Sequence, residues 1–308
     1  MFAHPTTTCA LRTRFAPSPT GYLHLGHVAH ALYVWGLARA MGAEVVLRIE
    51  DHDRGRCRPE FERSLLEDLE WLGFAWEGEV TRQSGRDAIY LQAVERLRSD
   101  GLLYGCDCSR KQILARTPQE DSPELRYDNH CRERGLPLGT GVGWRCQLPD
   151  DGVSFDDLRL GLQRQRPQEQ CGDLLLRDRH GNWTYQFSVT VDDMLQGVNK
   201  VIRGEDLLAS TGRQLLLGRL LGRDEIPVFY HHPLIIDSLT DVKLSKRDLA
   251  HAVREERLAG QPPEVTLSLA ARAVGIKHDE AIEDRATLLG RVAASLMHQA
   301  QEKLPINP

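Results

Sequence analysis

His24-Leu25-Gly26-His27 and, more than two hundred positions downstream, Lys243-Leu244-Ser245-Lys246-Arg247 carry the side chains that handle a triphosphate. Two imidazoles three residues apart can donate hydrogen bonds to phosphate oxygens. Gly26 leaves no side chain between backbone and nucleotide. A helix starting at this turn points its first N–H groups at phosphate. Lys243 and Lys246, flanking Ser245, bring positive charge to the same oxygens. The two segments read as halves of one ATP site. Taken alone, the lysine segment would read as a solvated basic turn; the matched N-terminal turn argues otherwise.

Five segments in order resemble one family. They are Arg14-Phe15-Ala16-Pro17-Ser18-Pro19-Thr20-Gly21, the His-x-Gly-His turn, Arg48-Ile49-Glu50-Asp51, Val201-Ile202-Arg203-Gly204-Glu205-Asp206-Leu207, and the lysine segment. Together they resemble the signature of class I aminoacyl-tRNA synthetases, in the glutamyl-specific branch, over residues 11 to 250. Leu244 and Arg247 stand where members of that family often have Met and Ser. The resemblance implies ATP with Mg²⁺ and L-glutamate as substrates, with Lys246 as the lysine placed on ATP.

A glutamate site must bind an α-ammonium and carboxylate. By the resemblance, Arg14 and Arg203 grip carboxylate, Glu50 meets the ammonium, and Tyr185, expected on an inward strand, offers its hydroxyl. Phe15, Ala16, Pro17 and Ser18 line the same turn. The competing readings are a surface acidic pair for Glu50-Asp51 and an ion pair of Arg203 with Glu205 or Asp206.

The third constellation is Cys106-Asp107-Cys108 followed by Tyr127-x-x-x-Cys131. Two thiols from a turn, and two side chains four apart on one helix face, can close a tetrahedral zinc site. Tyrosine is an uncommon ligand, and His130, beside Cys131, is the alternative fourth ligand. The pattern is similar to that of the glutamyl-queuosine tRNA(Asp) synthetases, where it implies one structural zinc in an insertion that meets RNA. Cys9, Cys57, Cys146 and Cys171 lack such spacing and read as free or buried thiols. His231-His232 reads as structural.

These residues need a scaffold. Leu11–Ala16 reads as a buried strand, Leu25–Met41 as a helix stopped by Gly42, and Glu44–Glu50 as a second strand: a β-α-β unit with the nucleotide turn at its first junction. Helices follow from Pro59 to Leu72, and from a Ser84 cap to Gly101. Alternation at Val142, Trp144, Cys146 and Leu148 predicts a short strand. Asp173–Asp178 and Trp183–Val191 read as strands returning to the main sheet. Leu207–Leu221 is expected to be helical, Val228–Ile236 a strand, and Val265–Val274 and His278–Gln301 helices. The expected fold is α/β: a Rossmann-like doubly wound parallel sheet with a zinc-containing insertion and a short helical C-terminal segment. Its divisions are 1–105, first half of the catalytic domain; 106–172, insertion; 173–250, second half; and 251–308, helical segment.

The chain has 308 residues, 41% hydrophobic and 27% charged, which suits a soluble enzyme. A net charge of −5 argues against a general polyanion binder but leaves room for a local RNA-binding face. Seven cysteines with uneven spacing suggest metal or free thiols, not a disulfide framework. No membrane span or secretion signal is expected, so a cytoplasmic monomer is the default. The short stretch after Arg247 is too small for the anticodon-binding domain of glutamyl-tRNA synthetases. The resemblance then implies tRNA-independent activation of glutamate and its transfer to queuosine in tRNA(Asp). A truncated glutamyl-tRNA synthetase charging tRNA(Glu) and a non-catalytic binding paralogue are the alternatives. Intact His24, His27 and Lys246 argue against the last.

Overall fold

The computed structural model describes residues 10–52, 55–117, 125–235, 252–276 and 285–301. Lys243, Ser245 and Lys246 lie outside them. The chain opens with β1 (Arg12–Phe15), α1 (Leu25–Met41), β2 (Glu44–Ile49), α2 (Pro59–Leu72), β3 (Thr81–Arg82) and α3 (Asp87–Ser99). It continues through β4 (Leu103–Cys106), α4 (Arg110–Arg116), β5 (Gly143–Cys146), β6 (Val153–Asp157), β7 (Gly161–Gln165), α5 (Pro167–Cys171) and β8 (Leu174–Arg177). Then come α6 (Tyr185–Leu195), β9 (Lys200–Gly204), α7 (Thr211–Leu220), β10 (Val228–His232), α8 (Val253–Leu258), α9 (Pro263–Ala273) and α10 (Arg285–Gln301).

The expected β-α-β unit is present. β1 and β2 pair in parallel, Arg14 opposite Val46, and β3 extends the same sheet. On the far edge of β1, the Asn199 N–H donates to Arg12 O at 3.0 Å and the Arg12 N–H to Asn199 Oδ1 at 2.9 Å. These bonds seat β9 beside β1. β10 pairs in parallel with β9 and with β6, and β7 closes that sheet as a hairpin strand. The end of β1 therefore sits where the strand order reverses, the place where open α/β sheets bind ligands. α1 is buried almost all round, and at its C-terminal end Gly42 adopts φ 65°, its N–H capping the last turn. One core joins α1, β1 and β2 to α9 and α10; another joins α3, α6 and α7 to β5, β6 and β8.

Four expectations are corrected. Trp183–Val191 is not a strand: Tyr185–Leu195 forms α6. Phe187 through Asp193 are all buried, so no face is marked polar, and the β-branched and aromatic content misleads. Ser84 does not cap α3; it lies in a 3-10 turn, and its N–H donates to Asp51 Oδ1 at 2.7 Å. β8 does not return to the parallel sheet but forms an antiparallel sheet with β5 and β4. Leu207 is not helical in the α sense; Glu205–Ser210 is a 3-10 turn that leads into α7. Among the described residues no helix is long and apolar enough to cross a membrane.

Candidate active site and thiol cluster

His24 caps α1. Its Nδ1 accepts from the Gly26 N–H at 3.2 Å, and His27 Nδ1 accepts from the His24 N–H at 3.2 Å. The two rings lie 3.8 Å apart, centre to centre. With both Nδ1 atoms accepting, the proton of each neutral ring resides on Nε2. The turn therefore orients two imidazole N–H donors beside a helix N-terminus, as phosphate binding requires.

The neighbouring turn sets the amino-acid side. The Glu50 N–H donates to Pro17 O at 3.0 Å, tying Ala16-Pro17-Ser18 to the end of β2. Ala16 is half-buried, Pro17 buried and Ser18 exposed. Phe15 is a correction. Strand alternation turns it away from Arg14 and into the core, where it packs 5.4 Å from His30 and 5.1 Å from Trp35.

Arg14, Glu50, Tyr185 and Arg203 converge. Arg14 Nε donates to both oxygens of Asp193, at 3.1 and 3.2 Å, and Arg48 Nη1 donates to Asp193 Oδ1 at 2.7 Å. Arg48 Nη2 reaches Glu50 Oε1 at 3.2 Å. Burial pushes the Asp193 carboxyl up, but Arg14 and Arg48 outweigh it and hold the group below the ordinary carboxylate value. For Glu50 burial wins over Arg48 and Arg14, so its carboxyl is raised. Tyr185, the first residue of α6 rather than a strand residue, hydrogen-bonds Arg203. Burial, then the Glu50 charge, pushes its phenol up.

Arg203 is held by neutral groups. Its guanidinium donates to His231 Nε2 at 3.0 Å, Gln214 Oε1 at 2.7 Å and Thr211 Oγ1 at 2.7 Å. His231 Nδ1 lies 2.7 Å from Asp157 Oδ2, so His231 is neutral with its proton on the Asp157 side. The competing reading, an ion pair of Arg203 with Glu205, is not what the described residues show; Glu205 instead binds Arg159 and the Leu234 N–H. Arg203 is thus a cation, 3% exposed, with no carboxylate in contact among the described residues. Asp51 caps the Ser84 turn, so only Glu50 of the acidic pair faces the cluster. Beside it, His30 and His232 share a 2.9 Å contact, and Tyr33 stacks on His232 at 4.4 Å.

The sequence reading missed Arg48, Asp193, Asp157 and the role of His231. Arg48 sat in a quoted motif, and its place two residues before Glu50 on one strand face was a usable signal. Asp157 and Asp193 gave none, because their partners are distant in sequence.

The thiol cluster lies apart, in the β4–α4 turn and the segment after it. The sulfurs of Cys106, Cys108 and Cys131 all lie within 4.8 Å of one another, Cys108 and Cys131 at 3.5 Å. A tetrahedral zinc with bonds near 2.3 Å holds its sulfurs about 3.8 Å apart. The Tyr127 hydroxyl lies 3.4 Å from Cys106 Sγ. His130 is exposed and does not join the donor group. Cys57, Cys106, Cys108, Cys131, Cys146 and Cys171 are all free thiols. Arg116 Nη2 lies 3.3 Å from Cys108 Sγ and Arg134 Nη1 3.2 Å from Cys131 Sγ. These guanidiniums bring positive charge to the thiols, and the donor set fits a zinc ion.

The His24–His27 turn at the switch point and the buried arginine cluster together make the candidate site. The family described as tRNA synthetases class I (E and Q), catalytic domain, matches residues 10–296. The chain belongs to that family. It is a ligase of the class I aminoacyl-tRNA synthetase type. A glutamyl-Q tRNA(Asp) synthetase of Rhodobacter capsulatus is 42% identical, over 82% of this chain and 96% of its own length. One from Bordetella bronchiseptica is 45% identical over 78% of this chain and 76% of its own. A glutamate–tRNA ligase of Frankia casuarinae is 40% identical over 82% of this chain and 53% of its own. Among solved structures, the glutamate–tRNA synthetase of Elizabethkingia anophelis superposes with a TM-score of 0.71 at 26% identity, covering 96% of this chain and 71% of that one.

Proposed function

We propose that this synthetase activates L-glutamate with ATP and Mg²⁺, without needing tRNA, and transfers the glutamate to the queuosine base of tRNA(Asp). The carrying observation is Arg203: a buried cation among neutral partners, facing Tyr185, in a cluster with Arg14 and Glu50 beside the His-x-Gly-His turn. A substrate carboxylate would complete that arrangement. Glu50 would meet the α-ammonium, and Ala16, Pro17 and Ser18 would border the substrate.

In activation, the glutamate α-carboxylate oxygen bonds to the α-phosphorus and pyrophosphate leaves. His24, Gly26 and His27 orient the phosphates, while Lys243, Ser245 and Lys246 would neutralise the charge that builds on them. Mg²⁺, when bound with ATP, screens the triphosphate. Cys106, Cys108, Tyr127 and Cys131 would hold one zinc with a structural role. The segments 1–105, 106–172, 173–250 and 251–308 serve as first catalytic half, insertion, second catalytic half and helical segment in this reading. A cytoplasmic monomer completes it.

The preference for queuosine-containing tRNA(Asp) is supported by relatives of that name at 42% and 45% identity, against 40% for the Frankia ligase. Charging of tRNA(Glu) is the second reading, supported by the glutamate–tRNA ligase relatives. Labelled glutamate offered with both tRNAs decides: label on tRNA(Asp) is expected, and label on tRNA(Glu) alone overturns the proposal. Lys246→Ala should cut glutamate-dependent ATP–pyrophosphate exchange by about 10² or more.

A further inference from the structure

Each side chain of the thiol cluster is met by a guanidinium. Arg116 Nη2 lies 3.3 Å from Cys108 Sγ, and Arg134 Nη1 lies 3.2 Å from Cys131 Sγ. Arg145 attends the other two: its guanidinium carbon lies 3.5 Å from the centre of the Tyr127 ring, and its positive charge also reaches Cys106. The three arginines come from separate places, the last residue of α4, the turn after Cys131 and the middle of β5. Tyr127 is 2% exposed, and its oxygen accepts from the Cys131 N–H at 2.9 Å, so it points among the sulfurs.

Each guanidinium is fixed by a further contact. Arg116 forks onto Asp128, Nε to Oδ2 at 2.5 Å and Nη2 to Oδ1 at 3.1 Å. Arg134 forks onto Asp107, Nη1 to Oδ1 at 2.7 Å and Nη2 to Oδ2 at 3.1 Å. In both forks one nitrogen serves a carboxylate and a sulfur with its two hydrogens. A bidentate fork fixes the guanidinium plane, so the N–H left for sulfur has one direction. Arg145, 7% exposed, donates through Nη1 to Asp173 O at 2.8 Å, and its buried Nε has no partner among the described residues. A dication held by three thiolates leaves a surplus of negative charge on sulfur. Cations around such a centre stabilise it, and their hydrogen bonds draw charge off the sulfurs, making them poorer nucleophiles.

We propose that Arg116, Arg134 and Arg145 are positioning residues for the metal: the first two shield the sulfurs of Cys108 and Cys131, and Arg145 holds the Tyr127 ring where its oxygen joins them. This rests on the zinc reading above. The test compares the zinc-loaded full protein with the double variant Arg116→Gln/Arg134→Gln, its counterpart Arg116→Lys/Arg134→Lys, and Arg145→Met. The Arg116 and Arg134 side chains are 31% and 40% exposed, so the Gln pair leaves the core untouched. Two quantities are read: the rate at which a chromogenic chelator takes the zinc, and the sulfur-to-metal absorption of the cobalt-substituted protein. The Gln pair and Arg145→Met are each expected to lose zinc about tenfold faster than wild type. The Lys pair, which keeps charge and an N–H donor, should recover part of that loss. The cobalt band should shift in the Gln pair, a change that loosened packing alone would not cause. Release rates and cobalt spectra equal to wild type in both the Gln pair and Arg145→Met overturn the proposal while leaving the zinc site standing. Folded wild-type protein that carries no zinc overturns the metal reading itself, and this inference with it.

Discussion

If Arg203 grips the substrate carboxylate as proposed, its hydrogen bond to His231 makes substrate affinity depend on a residue that touches no substrate. His231 accepts only while neutral, and Asp157 fixes its proton on the far nitrogen. His231→Phe should raise the KM for glutamate about tenfold while the KM for ATP holds; His231→Gln, which keeps an acceptor, should recover part of the loss in an exchange assay. A parallel rise in both KM values would point to general disruption instead. His232 makes a second, thermodynamic prediction. Burial holds its folded pKa down at about 4, against an ordinary value of 6.5. Above 6.5 the ring is neutral in both states, so its contribution is fully present there. As pH falls toward 4 the unfolded chain takes up a proton that the folded chain refuses, and on the order of 3 kcal/mol is lost. Thermal unfolding between pH 7 and pH 4 should fall more steeply in wild type than in His232→Gln.

At the level of elements, the thiol cluster should behave as a removable staple. Purified protein is expected to carry about one zinc, and Cys131→Ser should lose it. Hydrogen exchange should then rise in β4 and α4 while α1 and β2 stay protected; metal analysis finding no zinc in folded wild type would remove the site. Much of this architecture was legible beforehand. The β1–α1–β2 unit was readable because a strand, a glycine-stopped helix and a second strand follow one another with clean periods. The clustering of Cys106, Cys108 and Cys131 was readable because the three thiols lie within one short stretch. α6 was not, since a helix buried on every face has no period to detect. Nor was the antiparallel sheet joining β8 to β5, because pairing partners are set by tertiary contacts. Within the site, Arg14, Glu50 and Arg203 carried family-like motifs, whereas Asp157 and Asp193 acquire meaning only from side chains far along the chain.

Across the whole molecule, the C-terminal helices form part of the core that supports the nucleotide turn. A Cβ on Gly36 of α1 would meet Val292 Cγ1 of α10 at 2.7 Å, so the two helices approach through the missing side chain. Gly36→Leu should therefore destabilise the fold by about 2 kcal/mol or more, read as a lowered urea midpoint. Its effect should reach exchange activity, since His24 caps the same helix. Charge balance over the interior has a further consequence. Arg14 and Arg48 bind the Asp193 carboxylate and Arg48 also reaches Glu50, whereas Arg203 touches only neutral acceptors. In the proposed reading the carboxylate of a glutamate side chain would be the counter-ion that Arg203 lacks. Glutamine, equal in size but with an uncharged side chain, would leave that guanidinium unanswered, and discrimination between the two amino acids would come from this one pairing.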